Sequence, residues 1–205
     1  MERSEMLLSA KQSVMVVIDM QDVFLRPIKV RKMLEQNIGF LMEIASLLSV
    51  PRLATVQNQE HFGEMVASLQ AKGEITTIDK LCFSAVQIEP FILELHSLGR
   101  PQILLTGVEA HICVLQTALD LLRAGYRVFA PYDAIGSRTK DDWKFAVRRL
   151  EQAGVIVNSV ESAAYEWLES AGTDEFRKVL PLLKRRYQSA EIEDEDEEED
   201  EESEE

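Results

Sequence analysis

Cys113, in the stretch TGVEAHICV, follows the apolar run Ile103 to Leu105 and stands at the head of a segment whose apolar residues recur at helical spacing. A thiol just past the carboxyl end of a buried strand, in the first turn of a helix, meets unpaired N–H groups and partial positive charge that favour the thiolate. The alternative is a small apolar side chain packed in a core. Asp19 closes the run SVMVVIDM. A carboxylate there is costly to bury unless a cation or a donor meets it, and otherwise serves as a cap or turn residue. Lys80, in DKLCFSA, adjoins Asp79 and lies close to Phe83. Such partly desolvated surroundings lower the pKa of an ammonium. His61 has only Glu60 beside it, with no second His or Asp at ligand spacing, so no metal site is expected there.

The elements that must carry these residues follow from hydrophobic periodicity. Ser13 to Met20 is a nearly continuous β-branched and apolar run, the pattern of a central parallel strand that delivers Asp19 at its tip. A helical stripe covers Val30 to Leu48, and Pro51 turns the chain into a strand from Arg52 to Val56. The polar loop QNQEHFGE leads to a short helix, Met65 to Leu69, and then a strand from Glu74 to Ile78. Pro90 near its start and Gly99 past its end bracket a helix from Phe91 to Leu98. Ile112, Leu115, Leu119 and Leu122 mark the Cys113 helix, Tyr126 to Ala130 the next strand, and Val155 to Val157 the last. Between those two strands, Thr139 with Asp142 has capping-box spacing ahead of Trp143, Ala146, Val147 and Leu150. Glu161 to Glu169 and Asp174 to Tyr187 read as terminal helices, the second kinked or shortened by Pro181. Strand and helix alternate about six times, which predicts a three-layer α/β sandwich with a mostly parallel, about six-stranded sheet of Rossmann-like order. The Cys113 helix is apolar on all but Gln116, Asp120 and Arg123, more than one sheet contact needs, so a homo-oligomer is expected.

The net charge of −14 over 205 residues divides unevenly, because residues 191–205 hold 13 acids and no base, leaving 23 acids against 22 bases in the rest. A near-neutral body and an acidic tail disfavour binding to nucleic acid. Residues 1–189 are expected to form one domain, and residues 190–205 a disordered extension that serves solubility or docks a basic partner. No apolar run reaches membrane length, the start lacks the marks of a targeting segment, and two cysteines are too few for a disulfide framework, so cytoplasm is the expected location.

Taken in order, Asp19 in VVIDMQDVF, Lys80 in DKLCFSA and Cys113 in TGVEAHICV resemble the isochorismatase-like cysteine hydrolases, which include nicotinamidases and carbamoylsarcosine amidase. The likeness runs over roughly residues 13–170 and is nearest the isochorismatase domain-containing branch, whose central motif reads G-[IV]-E-A-x-x-C. It implies a catalytic triad of Asp19, Lys80 and Cys113 and hydrolysis of the C–N bond of a small amide through a thioester, with no cofactor. It also implies a cis peptide between Val108 and Glu109, with the backbone N–H groups of Glu109 and Cys113 forming an oxyanion hole. Phe24, Phe83 and Glu109 or His111 flank these motifs and are candidate substrate-pocket residues. Two departures stand out. Nicotinamidases have an Asp-x-His pair where this chain reads TVQNQEHFG, and Ala110 stands where many family amidases have Thr. Siderophore-pathway isochorismatases lack the Cys, so its presence here implies acyl transfer. The alternatives are a non-catalytic binding or scaffold protein, and a ribonuclease, as some parasite relatives are labelled, with a mitochondrial location. If Cys113 is poised as a thiolate, it should alkylate at neutral pH faster than Cys82.

Overall fold

In the computed structural model, which describes residues 3–186, the sheet begins with β1 (Ser13–Ile18), buried at all six positions. An apolar run without polar alternation requires cover on both faces. The single turn α1 (Asp22–Leu25) precedes α2 (Arg31–Leu47), which buries Leu34, Ile38, Leu41 and Ala45 along one side. β2 (Arg52–Gln57) follows, then two more single turns, α3 (Gln59–Phe62) and α4 (Ala67–Gln70). β3 (Thr76–Lys80) leads into α5 (Glu89–Leu98), closed by Gly99 in the left-handed region. β4 (Gln102–Val108), buried throughout, is followed by α6 (Leu115–Arg123), β5 (Arg127–Pro131) and the two-residue β6 (Ile135–Gly136). α7 (Lys140–Ala153), β7 (Ile156–Asn158) and α8 (Val160–Leu168) complete the unit. The expected capping at α7 is present, with the Asp142 amide donating to Thr139 Oγ1 at 3.0 Å.

The strand order is β3-β2-β1-β4-β5-β7, with β6 beside β4, and every ladder between named strands is parallel. Successive side chains of a strand point to opposite faces. Val14, Val16 and Ile18 therefore join Ile103 and Leu105 of β4 in a core with Phe91 and Leu95 of α5, Leu121 of α6 and Leu150 of α7. The other face of the sheet lies under α2, which also packs on α8. The result is the three-layer α/β sandwich expected from the alternation of elements. Each apolar side chain taken fully out of water contributes about 1.5–3 kcal/mol, so these two interfaces are what place the strand tips.

Three local differences have physical causes. β3 runs two residues later than the sequence pattern suggests, because it is an edge strand with four of five residues outside the core, and pairing with β2 sets its limits. That pairing carries it to Lys80, opposite Gln57. α1, α3 and β6 are too short to show a period. On α6, Leu119 and Leu122 are half-buried against the core to which Trp143 and Val147 of α7 also pack, so part of its broad apolar face is covered within the chain.

The chain divides into two compact units, Met1–Glu169 and Ser170–Glu205. In the second, a helix over 174–186 passes through Pro181 without being shortened there. Tyr187, at the expected end of this helix, and the acidic extension from residue 190 lie outside the described residues. Among the described residues no helix is long and apolar enough to cross a membrane.

Candidate active site

In chain order the sheet grows outward from β1 through β2 to β3, and then β4 returns to β1's other side. At such a reversal the crossovers leave in opposite directions and open a crevice at the carboxyl ends of the strands. Asp19 is the first residue past β1, and its φ of 49° places it in the left-handed region. A non-glycine residue there costs about 1–3 kcal/mol unless its surroundings hold it, and Asp tolerates it better than most. The Asp19 amide donates to the Thr55 carbonyl at 3.1 Å, and the Gln21 amide donates to Asp19's own carbonyl at 2.7 Å. On the neighbouring strand Gly107 has φ 112°, and a Cβ there would fall 2.1 Å from the Ile18 carbonyl oxygen. Only glycine lets the tips of β1 and β4 come this close.

Asp19 and Lys80 are almost fully enclosed, at 1% and 2% exposure. The Lys80 ammonium donates to Asp19 Oδ2 at 2.7 Å, to Gln57 Oε1 at 2.6 Å and to the Cys82 carbonyl at 3.3 Å. Its three N–H donors are thus matched by three acceptors. Thr55 Oγ1 donates to the other Asp19 oxygen at 2.7 Å. Gln57 is itself fixed, its side-chain amide donating to the Leu81 carbonyl and its backbone N–H to Gln21 Oε1, each at 2.7 Å. Gln21 returns the bond to the Gln57 carbonyl and spans to the Gly63 carbonyl. The buried charges therefore rest on a closed set of strand-end side chains.

Cys113 completes the group. The Val108–Glu109 peptide is cis, and the chain then forms a π-helical turn, Ala110–Val114, before the regular α6. The Val114 amide reaches back five residues to the Glu109 carbonyl, a widened turn of the kind frequent at functional sites. Cys113 is 8% exposed, and its thiol lies within the electrostatic influence of both Asp19 and Lys80. Burial pushes the thiol up to about 12, the Asp19 carboxylate adds to the rise, and Lys80 opposes it. The thiolate tendency expected from a helix terminus is therefore overridden. Desolvation and an adjacent carboxylate outweigh one ammonium, and the resting group is a thiol.

Residues 13–162 match the family described as "Isochorismatase domain". This chain belongs to the isochorismatase domain family. It is 34% identical over 180 residues to the secreted isochorismatase effector Isc1 of Phytophthora sojae, covering 84% of each chain. It is likewise 34% identical over 177 residues to isochorismatase domain-containing protein 2 of Danio rerio, covering 86% of this chain and 89% of that one. Among solved structures, a Caenorhabditis elegans protein described as a MAR1 ribonuclease superposes with a TM-score of 0.81 at 31% identity, over 86% of this chain and 91% of the other.

The remaining pocket candidates of this isochorismatase domain fare differently. Phe24 on α1 is half-buried, its ring 5.0 Å from that of Phe62 on α3. Phe83 is 54% exposed and does not enclose Lys80; the ammonium is buried by polar partners instead. His111 is half-buried, with Nδ1 2.9 Å from Ser137 Oγ. The Glu109 carboxylate is buried against Arg138. His61 is exposed and stacks edge-on against Phe62. Among the described residues, no group of three or more His, Cys, Asp or Glu side chains is placed to hold a metal ion. Sequence reading missed Thr55, Gln57, Gln21 and Arg138. The first two carried a signal, since they are polar residues at the end of the otherwise apolar run LATVQ.

Proposed function

We propose that this isochorismatase domain is a cysteine hydrolase that cleaves the C–N bond of a small amide, with Cys113 as nucleophile. The observation that carries this reading is the buried Lys80–Asp19 contact of 2.7 Å acting on the Cys113 thiol at the sheet's reversal point. Because the resting group is a thiol, attack needs a base, and Asp19 is the base in reach. As Sγ bonds to the carbonyl carbon, the thiol proton passes to Asp19. The carbonyl oxygen, now negative, is met by the backbone N–H groups of Glu109 and Cys113. The C–N bond then breaks, Asp19 returns the proton to the leaving amine, and a thioester remains. Water attacks the thioester as Asp19 takes its proton, and release of the carboxylic acid restores the thiol. Lys80, donating to Asp19 at 2.7 Å, holds its carboxylate in place for these transfers and lowers the cost of forming the thiolate. A nucleophile this enclosed favours a small substrate over a polymer.

The ribonuclease description of the similar Caenorhabditis elegans protein brings RNA forward as a second substrate class. A panel of small amides and an RNA oligonucleotide, each incubated with the protein and with Cys113→Ala, separates the two readings. The expected outcome is amine release from at least one amide, a trapped acyl adduct on Cys113 by mass spectrometry, and neither in the variant. RNA cleavage lost in Cys113→Ala, with no amide turned over, would replace this reading. Absence of every activity and adduct would leave a binding or scaffold protein.

A further inference from the structure

A second polar cluster joins the loop after β4 to the segment after β6. β6 lies parallel to β4, with Gly107 opposite Ile135 and Val108 opposite Gly136, so the chains beyond these pairs emerge side by side. The Glu109 carboxylate accepts hydrogen bonds from the Arg138 backbone N–H at 3.3 Å and from its Nε at 3.0 Å, while Nη2 stands 2.6 Å from the other oxygen. Beside it, His111 Nδ1 meets Ser137 Oγ at 2.9 Å and lies 3.5 Å from Glu109 Oε2. The segment carrying Ser137 and Arg138 is anchored in turn. The Gly107 amide donates to the Ala134 carbonyl at 2.9 Å, and Trp143 of α7 donates through Nε1 to the Tyr132 and Ile135 carbonyls, each at 3.1 Å. Gly136 passes so close to α2 that a Cβ would fall 2.4 Å from Leu34 Cδ1.

The residue gripped by this anchored segment is the one whose backbone N–H is assigned to the oxyanion in the reading above, on which the present inference rests. We infer that Arg138 is a positioning residue: its planar fork, closed on the Glu109 carboxylate, holds the loop so that the Glu109 N–H is aimed at the developing negative oxygen. An oxyanion donor acts only when placed within a few tenths of an ångström, and a bidentate arginine supplies orientation that a point charge does not. A general stabilising ion pair would predict something else. It would affect every reaction of Cys113 alike, whereas a donor-positioning role affects only reactions that pass through an oxyanion.

Two reagents make that distinction on the full chain, read at Cys113 by site-resolved mass spectrometry. With p-nitrophenyl acetate, Sγ bonds to the carbonyl carbon, the thiol proton goes to Asp19 and p-nitrophenolate leaves through a tetrahedral oxyanion. With iodoacetamide, Sγ displaces iodide at a saturated carbon and no oxyanion forms. Arg138→Ala is expected to slow acylation of Cys113 by about tenfold or more, by analogy with the loss of an oxyanion donor, and to leave alkylation unchanged. Arg138→Lys, which keeps the charge without the fork, should also lose acylation selectively and carries the test should Arg138→Ala not fold. The pair Glu109→Gln with Arg138→Ala, which removes the buried charge together with its partner, should remain impaired. Recovery in that pair, an equal fall in both reactions, or unchanged acylation would overturn the positioning role. A wild-type protein that is alkylated at Cys113 but never acylated there would instead remove the hydrolase reading, and this inference with it.

Discussion

The two ion pairs at the head of the sheet have nearly the same length, 2.7 Å for Lys80–Asp19 and 2.6 Å for Arg138–Glu109, yet they live in different media. Both side chains of the first are almost wholly enclosed, at 0% and 2% exposure, whereas Arg138 is 52% exposed and only Glu109, at 6%, is buried. Distance alone would rank them as equals. The environment does not, because enclosing two charges costs several kcal/mol per ion and the mutual attraction does little more than offset it. The Lys80–Asp19 pair is therefore poorly explained as a stabilising contact, and its place beside a thiol at the crevice explains it better. The Arg138–Glu109 pair keeps one end in water and ties two chain segments together.

The largest effect is expected from Lys80→Met, which strands a carboxylate in the core. It is expected to destabilise the fold by about 3–5 kcal/mol in urea denaturation, with much of the loss recovered when Asp19→Asn is added. A loss below about 1 kcal/mol, the range of exposed pairs, would mean that the two pairs are equivalent after all.

The next effect is on pH. The folded thiol of Cys113 keeps its proton up to about 12, against an ordinary value of 9.0. Below pH 9 both folded and unfolded chains hold the proton, and the contribution to stability is complete. Between about 9 and 12 the unfolded chain releases it while the folded chain does not, so stability falls as pH rises, by at most about 1.4 kcal/mol per unit. Cys113→Ala should show a shallower alkaline decline in melting temperature, and parallel curves would contradict the assignment. In the same protein at neutral pH, the exposed Cys82 should alkylate ahead of Cys113, the reverse of the order expected from helix position alone.

Smallest is the stability change in Arg138→Ala, expected at about 1–2 kcal/mol, since a buried carboxylate loses its donors but the guanidinium was already half in water. A loss as large as that of Lys80→Met would erase the distinction.

What the sequence determined by itself was whatever a local pattern encodes. SVMVVI and the run before Gly107 carry the pattern of strands covered on both faces, their alternation with amphipathic helices implied the layered parallel sheet, and the Thr139 cap was visible in four residues. The spacing of Asp19, Lys80 and Cys113 also carried the family resemblance. Tertiary structure decided what depends on neighbours distant along the chain. Edge strand β3 took its limits from the β2 register, because its own residues are mostly outside the core. Thr55, Gln57 and Gln21 became supports of the charge pair through bonds spanning 23 to 36 residues. The protonation of Cys113 was set by the balance of burial and two charges brought in from other strands, a sum over space that no stretch of sequence contains.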